Sequence, residues 1–529
     1  MFDLLIRNAW IYDGSGSEPF IGDLAVEHGT IAAVGRVSGP AVQTVDADGL
    51  SLSPGFIDSH SHADGSIFEH PQRIHVLRMG VTTEVCGCCG ISFSPVAPGT
   101  DEALLSTLCG SSSYRPRFFP RFSDELRAMD ALPLGPNLAV FAGHVPLRFC
   151  AMGTENRAPS ARELEQMQRT LRSAMEDGAL GYTTGLSYVP GIYSRTDELA
   201  ALAGVMAPYR GIYSTHSRSE SAGLFASVQE CIDIARLAGV SVNISHFKCV
   251  GRTFWPRCAQ ALAMIDEANR QGLDVNLDAY PYTACSTSTT SAIPARFLDR
   301  GPEAFARSLQ DPAVVEAIRR EIFEIDDPSW DNSALHVGLE NFLISGADDT
   351  PEYVGKTYAE VGRMLGIQPF DAMILLLRRN HGRVRDVRFA MCEENVEMIL
   401  RHPRCTVGAD GTYAKGRDAI AHPRAFGTFP RYLGRYIRDR KLLPRQEGIR
   451  RITGMPAERY GLRTKGFLRP GYDADLVLFD FERIMDRADY LDPFRPNEGI
   501  HQVYMGGRLV LADNEPTGTY VGHTLRRTE

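Results

Sequence analysis

Nowhere in its 529 residues does this sequence run through the roughly 18 uninterrupted apolar residues of a membrane helix, so no such span is expected. The opening stretch, MFDLLIRNAWIYDG, lacks a basic leader, and Asp3, Arg7 and Asn8 break its apolar run. No export signal is expected there, and a cytoplasmic enzyme is the default reading. Positive charge is scarce as well. Lys plus Arg number 56 against 65 Asp plus Glu, and the formal net charge of −9 argues against a nucleic-acid partner. The arginines of RYLGRYIRDRKLLPR read as a solvated helix surface. Cysteine is present, 11 in all, but without an export signal the thiols are expected to be reduced. The cluster VCGCCGIS has no second Cys-x-x-Cys pair to complete an iron–sulfur or zinc-knuckle set, and the other eight cysteines, Cys231 and Cys392 among them, read as packing residues.

What is present is the rhythm of an α/β protein. Short strand-like runs punctuated by Gly and Asp stand at both ends of the chain, too few at either end to close a core. Residues 1–54 and 466–529 are therefore expected to build one small β-sandwich domain together. Between them, over 55–465, eight apolar runs (GFIDSHSH, TTEVCG, LAVFAGH, LGYTTGL, IYSTHSR, SVNISHFK, DVNLDAYPY and CTVGADG) alternate with helical patterns. Eight such units imply a (β/α)8 TIM-like barrel. Ser160 with Glu163 three residues on predicts a capped helix that closes at Gly178, and a second is expected to end at Gly239. Two connections are far longer than usual, about 88–137 and 283–404. The second contains helical sequence and reads as a folded insertion, either a lid over the catalytic face or a purely structural element.

The chemistry starts from PGFIDSHSH, residues 54–62. Residues two apart on a strand share a face, so His60 and His62 project together, a geometry that suits two ligands of one metal. Other strands also end in residues able to bind metal or move protons: Cys86 to Cys89, His144, His216, His246 and Asp410. In a barrel these ends form one bowl, and imidazole with thiolate suits zinc. Lys248 lies two residues beyond His246 and faces the same way, the best placed cation for a substrate carboxylate.

In order along the chain, PGFIDSHSHADG, CGIS, AGHVPLR, GALGYTTGL, STHSR, ISHFKC, DAYPYT, VGADG and HPRAFGTFPR resemble the N-acyl-D-amino-acid deacylases, or D-aminoacylases, of the amidohydrolase superfamily. The resemblance implies zinc-dependent hydrolysis of linear N-acyl-D-amino acids as small-molecule substrates. It also implies that Cys89, His216 and His246 hold one tightly bound zinc, while His60, His62 and Asp410 form a second, weaker site. Asp410 is then expected to be the general base and acid, with His144 or Tyr188 supplying a donor to the oxyanion. Tyr188 and one of Tyr280 or Tyr282 are expected to join Lys248 at the substrate, and Arg296 to read an acidic side chain. Cys88 stands where Asn is usual in that family, Phe247 where a second His is frequent, and Ala409 where Ser is frequent. Cyclic-amide hydrolases with a related fold use a lysine on the fourth strand, which GALGYTTGL lacks, and a non-catalytic scaffold would be expected to lose the ligands present here. The oligomeric state has no signature in the sequence.

Overall fold

In the computed structural model, whose described residues are 1–100, 117–412 and 421–527, each of the eight apolar runs contains a strand. They are β1 (Phe56–Asp58), β2 (Val81–Cys86), β3 (Asn137–Val140, resuming at Ala142–Gly143), β4 (Gly181–Gly185), β5 (Ile212–His216), β6 (Ser241–Ile244), β7 (Val275–Ala279) and β8 (Cys405–Val407). Neighbours in this order pair in parallel, β3 meeting β2 with its first part and β4 with its second. The last strand returns to the first: Ser59 N donates to Val407 O at 3.2 Å, and Asp410 N donates to His60 O at 2.7 Å. These strands are almost wholly buried, as their unbroken apolar runs require when helices cover the outer faces.

The helices between them follow their local signals. Ser160 and Glu163 form a reciprocal capping box at the start of Ala161–Glu176, and Gly178 follows with φ +107°. The helix Leu224–Ala238 ends on Gly239 in the left-handed conformation. Helix Phe122–Asp130 buries Glu125, whose carboxyl shares a hydrogen bond with Ser94 Oγ. Burial, with Asp64 adding to it against the Ser94 hydrogen bond, pushes Glu125 up to about 8 from 4.5. The folded state therefore keeps a proton that the unfolded chain gives up between these two values, and stability falls as pH rises through that window. Replacing Glu125 with Gln removes this cost. The variant's advantage should grow by about 1.4 kcal/mol per pH unit across the window. Thermal unfolding of both proteins at several pH values measures it, and a pH-independent difference would refute the assignment.

Strands from the two ends of the chain share one hydrogen-bonded sheet of nine, eight along a single path and Ala41–Asp46 off it. Leu476–Phe479 pairs with Ser51–Pro54 on one side and Ile500–Met505 on the other, while Phe2–Ile11 joins Ser51–Pro54 to Phe20–Glu27 and Ala41–Asp46. Leu4, Ile6, Leu24 and Val26 from one end meet Leu476, Leu478 and Tyr504 from the other in a single core.

Between β7 and β8 stands a three-stranded antiparallel sheet (Cys285–Ser288, Phe342–Gly346 and Arg385–Arg388), flanked by helices that include Tyr358–Leu365 and Pro369–Arg379. It has its own core around Ile318, Phe342, Tyr358, Met373 and Leu377. The helix Glu393–Arg401 packs instead on β7, β8 and the helix Cys258–Arg270, so the strand–helix alternation resumes there. Among the described residues, no helix is long and apolar enough to cross a membrane.

Candidate metal centre

Just beyond the end of β1, Ser61 still pairs in parallel with Gly411, and His60 and His62 on either side of it enter the same space. Asp58 steadies this exit by accepting from His60 N at 3.1 Å and from Ala409 N at 2.8 Å. After β2 the backbone doubles back through Gly87, Cys89 and Gly90, all at positive φ, with Cys89 at +55°. A Cβ on Gly90 would lie 2.7 Å from Gly185 N, so glycine is required for this approach to β4. The turn brings the Cys89 sulfur to 3.4 Å from His60 Nε2, 3.4 Å from His246 Nε2 and 3.9 Å from His216 Nδ1. Cys88 Sγ instead points back at Val85 O.

Two groups of potential ligands result, His60–His62–Cys89 and Cys89–His216–His246, with Cys89 common to both and all donor atoms of a group within 4.8 Å of one another. Zinc bonds of about 2.3 Å to sulfur and 2.0–2.1 Å to nitrogen in a tetrahedron place the donors about 3.5 Å apart. The sulfur–nitrogen distances here bracket that value, so the residues fit the ion.

Electrostatics fit it too. Burial would raise the Cys89 thiol, but His60 and His246 hold it well below its ordinary value. Burial would likewise raise Asp410, yet Arg424, then His246 and His62, keep it well below the usual carboxylate range. His62, which burial alone would lower, is pushed up to about 9 by Asp410 and Cys89. A thiolate and a carboxylate thus create a pocket that favours positive charge.

The outer partners of these groups orient them. His60 Nδ1 stands 3.3 Å from Asp278 Oδ1, and Asp278 also accepts from His246 N at 2.8 Å and Asn243 Nδ2 at 2.6 Å. His246 Nδ1 stands 3.2 Å from Glu220 Oε1. Each arrangement sets a carboxylate beside one ring nitrogen and leaves the other facing the sulfur, although His246 Nδ1 also lies 2.8 Å from Lys248 Nζ. Asp410 Oδ1 lies 3.1 Å from His62 Nε2, and Arg424 Nη1 lies 2.8 Å from Asp410 Oδ2. His246 and Asp410, like Cys89, have positive φ, +35° and +50°. Such backbone is costly for residues other than glycine and concentrates at functional sites.

A cavity of about 310 Å³ opens over the cluster. Lys248, Tyr188 and Tyr280 line it together with Arg424 and Asp410. Lys248 Nζ donates to Glu220 Oε1 at 2.5 Å, so its charge is already partly met. Tyr188 OH lies 3.5 Å from His216 Nδ1, and the buried Tyr280 hydroxyl has no hydrogen-bond partner among the described residues.

Three expected site residues are placed elsewhere. His144 begins the helix His144–Met152 rather than extending its strand, and its ring lies against Tyr182 with Nε2 3.1 Å from Glu198 Oε1, which removes it as an oxyanion donor. Tyr282 is turned out of the cavity toward Arg431 and Pro423 O, leaving Tyr280 as the tyrosine of that pair at the site. Arg296 falls on the short turn Ala295–Phe297, where its side chain is 59% exposed and paired with Glu321. Conversely, Asp278, Glu220 and Arg424 were not singled out from the sequence. DAYPYT and HPRAFGTFPR contain two of them, whereas nothing in SRSES marks Glu220.

Known proteins share this architecture along the whole chain. The profile of the amidohydrolase family matches residues 322–511. A D-aminoacylase of Alcaligenes xylosoxydans xylosoxydans is 34% identical over 528 residues, covering 100% of this chain and 98% of its own. An N-acyl-D-glutamate deacylase of the same organism is 34% identical over 530 residues, covering 99% and 96%. The crystal structure of N-acyl-D-glutamate deacylase from Bordetella bronchiseptica, complexed with zinc and a phosphonate mimic of the tetrahedral intermediate, superposes with a TM-score of 0.83 at 33% identity over 99% of each chain. The chain belongs to the N-acyl-D-amino-acid deacylase, or D-aminoacylase, family of the amidohydrolases.

Proposed function

We propose that this protein hydrolyses the amide bond of N-acyl-D-amino acids, with zinc held by Cys89, His216 and His246. His60 and His62 would share Cys89 in a second, weaker site bordered by Asp410. The observation that carries the reading is the Cys89 thiol shared by two sets of imidazoles, with the Asp410 carboxylate at their edge. In the same reading the eight parallel strands close as a (β/α)8 barrel, and the nine-stranded sheet folds over as a small β-sandwich.

Zinc supplies Lewis acidity there, lowering the pKa of water to about 7 and polarising an amide carbonyl. Asp410 accepts the proton of the attacking water and then delivers it to the departing amine. The Arg424 guanidinium 2.8 Å from Asp410 Oδ2 favours the ionised carboxylate, the form that can take a proton. The Tyr188 hydroxyl, beside His216, is the donor placed to meet charge on the carbonyl oxygen. Lys248 and the unpartnered Tyr280 hydroxyl receive the substrate carboxylate. β4 carries threonines and no lysine, which works against a cyclic-amide hydrolase.

The test is hydrolysis of paired N-acetyl-D- and N-acetyl-L-amino acids by the purified protein, with zinc per chain measured on the same sample. Turnover of D-substrates alone by zinc-containing protein is expected. With Arg296 tied to Glu321 at the surface, acidic side chains should gain no advantage from that residue, so Arg296→Ala should leave the substrate ranking unchanged. Full zinc with no turnover of any N-acyl amino acid would overturn the reading.

A further inference from the structure

Glu220 is the acidic group between the two working sides of the site. One of its oxygens stands 3.2 Å from His246 Nδ1 and accepts from Lys248 Nζ at 2.5 Å. Its backbone is held from both directions. Glu220 O accepts from Val250 N at 2.8 Å, on the chain that follows β6. Glu220 N donates to both oxygens of Asp331, at 3.0 and 2.9 Å. Asp331 lies 111 residues away, within the insertion between β7 and β8.

That carboxylate does more than cap one amide. It accepts from Ser219 Oγ at 2.8 Å, Ser221 Oγ at 2.6 Å and Ser221 N at 3.1 Å. Two hydroxyls and two backbone amides thus converge on one half-buried side chain, beside the like-charged Glu220. The backbones are correspondingly close. A Cβ on Gly223 would lie 2.5 Å from Pro328 O, so the loop after β5 and the insertion are in direct contact here.

We infer that Asp331 is a positioning residue: by holding the backbone of residues 219–221, it sets the Glu220 carboxylate against His246 and Lys248, and so couples docking of the insertion to assembly of the metal and substrate sides together. This rests on the ligand set proposed above. It makes the insertion part of the site rather than a cover over it. A carboxylate that meets several N–H and O–H donors of the buried residues 219–221 specifies one position of the loop, because each donor left without it would be a buried polar group without a partner.

The experiment compares Asp331→Ala and Asp331→Asn with the unchanged protein. Equilibrium zinc affinity is measured by competition with a chromophoric chelator, KM and kcat on the best N-acetyl-D-amino acid, and thermal unfolding alongside. Loss of a group that orients a ligand weakens metal binding by about 10–100-fold. Asp331→Ala is expected to lose zinc affinity by about tenfold and to raise KM through a displaced Lys248. Asp331→Asn keeps one acceptor oxygen, so it should recover part of both effects. Lowered thermal stability with unchanged zinc affinity and KM in both variants would make Asp331 a purely structural clamp and overturn the inference. Zinc affinity is read without turnover, so this comparison stands even if the deacylase reading fails.

Discussion

Asp410→Asn is expected to lower kcat by about 10²- to 10⁴-fold, the range that a positioned proton carrier contributes, while zinc remains bound. The separation follows from geometry. Cys89, His216 and His246 form their group without Asp410, whose carboxylate instead meets His62 Nε2 at 3.1 Å and Arg424 Nη1 at 2.8 Å. An amide keeps the shape and one acceptor oxygen, but it cannot take a proton from water and return it to the amine. The substitution also leaves the buried Arg424 guanidinium without its counter-charge, with Ser286 O at 3.3 Å and the face of Tyr280, 4.7 Å from the ring centroid, as neutral neighbours. A lower Tm should therefore accompany the loss of turnover, since an unpaired buried charge is strongly destabilising. Steady-state kinetics, zinc content and thermal unfolding of the one variant decide the matter. More than about a tenth of the original kcat in zinc-replete Asp410→Asn, well above the range for a lost proton carrier, would remove Asp410 from proton transfer.

How much of this was legible in the sequence depends on how far each group reaches along the chain. His60 and His62 were legible because strand periodicity is local: two residues apart means one face. The eight apolar runs were legible for the same reason, and their strands begin and end close to the quoted stretches. AGHVPLR misled, because a histidine after a strand-like run looks like a strand end, whereas Pro146 stands in the first turn of the helix that His144 opens. Tyr280 and Tyr282 share a spacing with His60 and His62 but diverge, since Tyr282 N folds back onto Tyr280 O at 2.9 Å around Pro281, whereas Ser61 between the histidines still pairs in parallel with Gly411. Arg424, Glu220 and Asp331 were beyond reach for another reason. Their roles are set by partners 14, 26 to 28 and about 111 positions away, across connections whose path no local pattern encodes. The positive φ of Cys89, His246 and Asp410 is equally silent, because none of these residue types announces a left-handed backbone as glycine does.

The thiol cluster VCGCCGIS shows where structure adds most, and it yields the second large effect: Cys89→Ala should abolish zinc retention, while Cys88→Ala should leave it intact. Spacing alone does not separate the two, since they are neighbours and both buried. Their surroundings do. Burial pushes the Cys86 and Cys88 thiols well up, with nearby acidic groups adding to it, so both stay protonated and poor ligands. Cys89 faces three imidazoles and is pulled well down against the same burial, which makes it the thiolate. It also belongs to both ligand groups, so its removal damages two sites at once, whereas loss of His60 or His62 damages one. The expected loss exceeds the 10–100-fold cost of removing an outer-shell partner. Metal analysis after dialysis against a weak chelator reads the outcome, with the Cys88 variant as the internal control for disturbance of the β2 turn. Zinc retained in Cys89→Ala and lost from Cys88→Ala would reverse the assignment. Zinc lost from both would mean that the turn itself, rather than one sulfur, holds the site together.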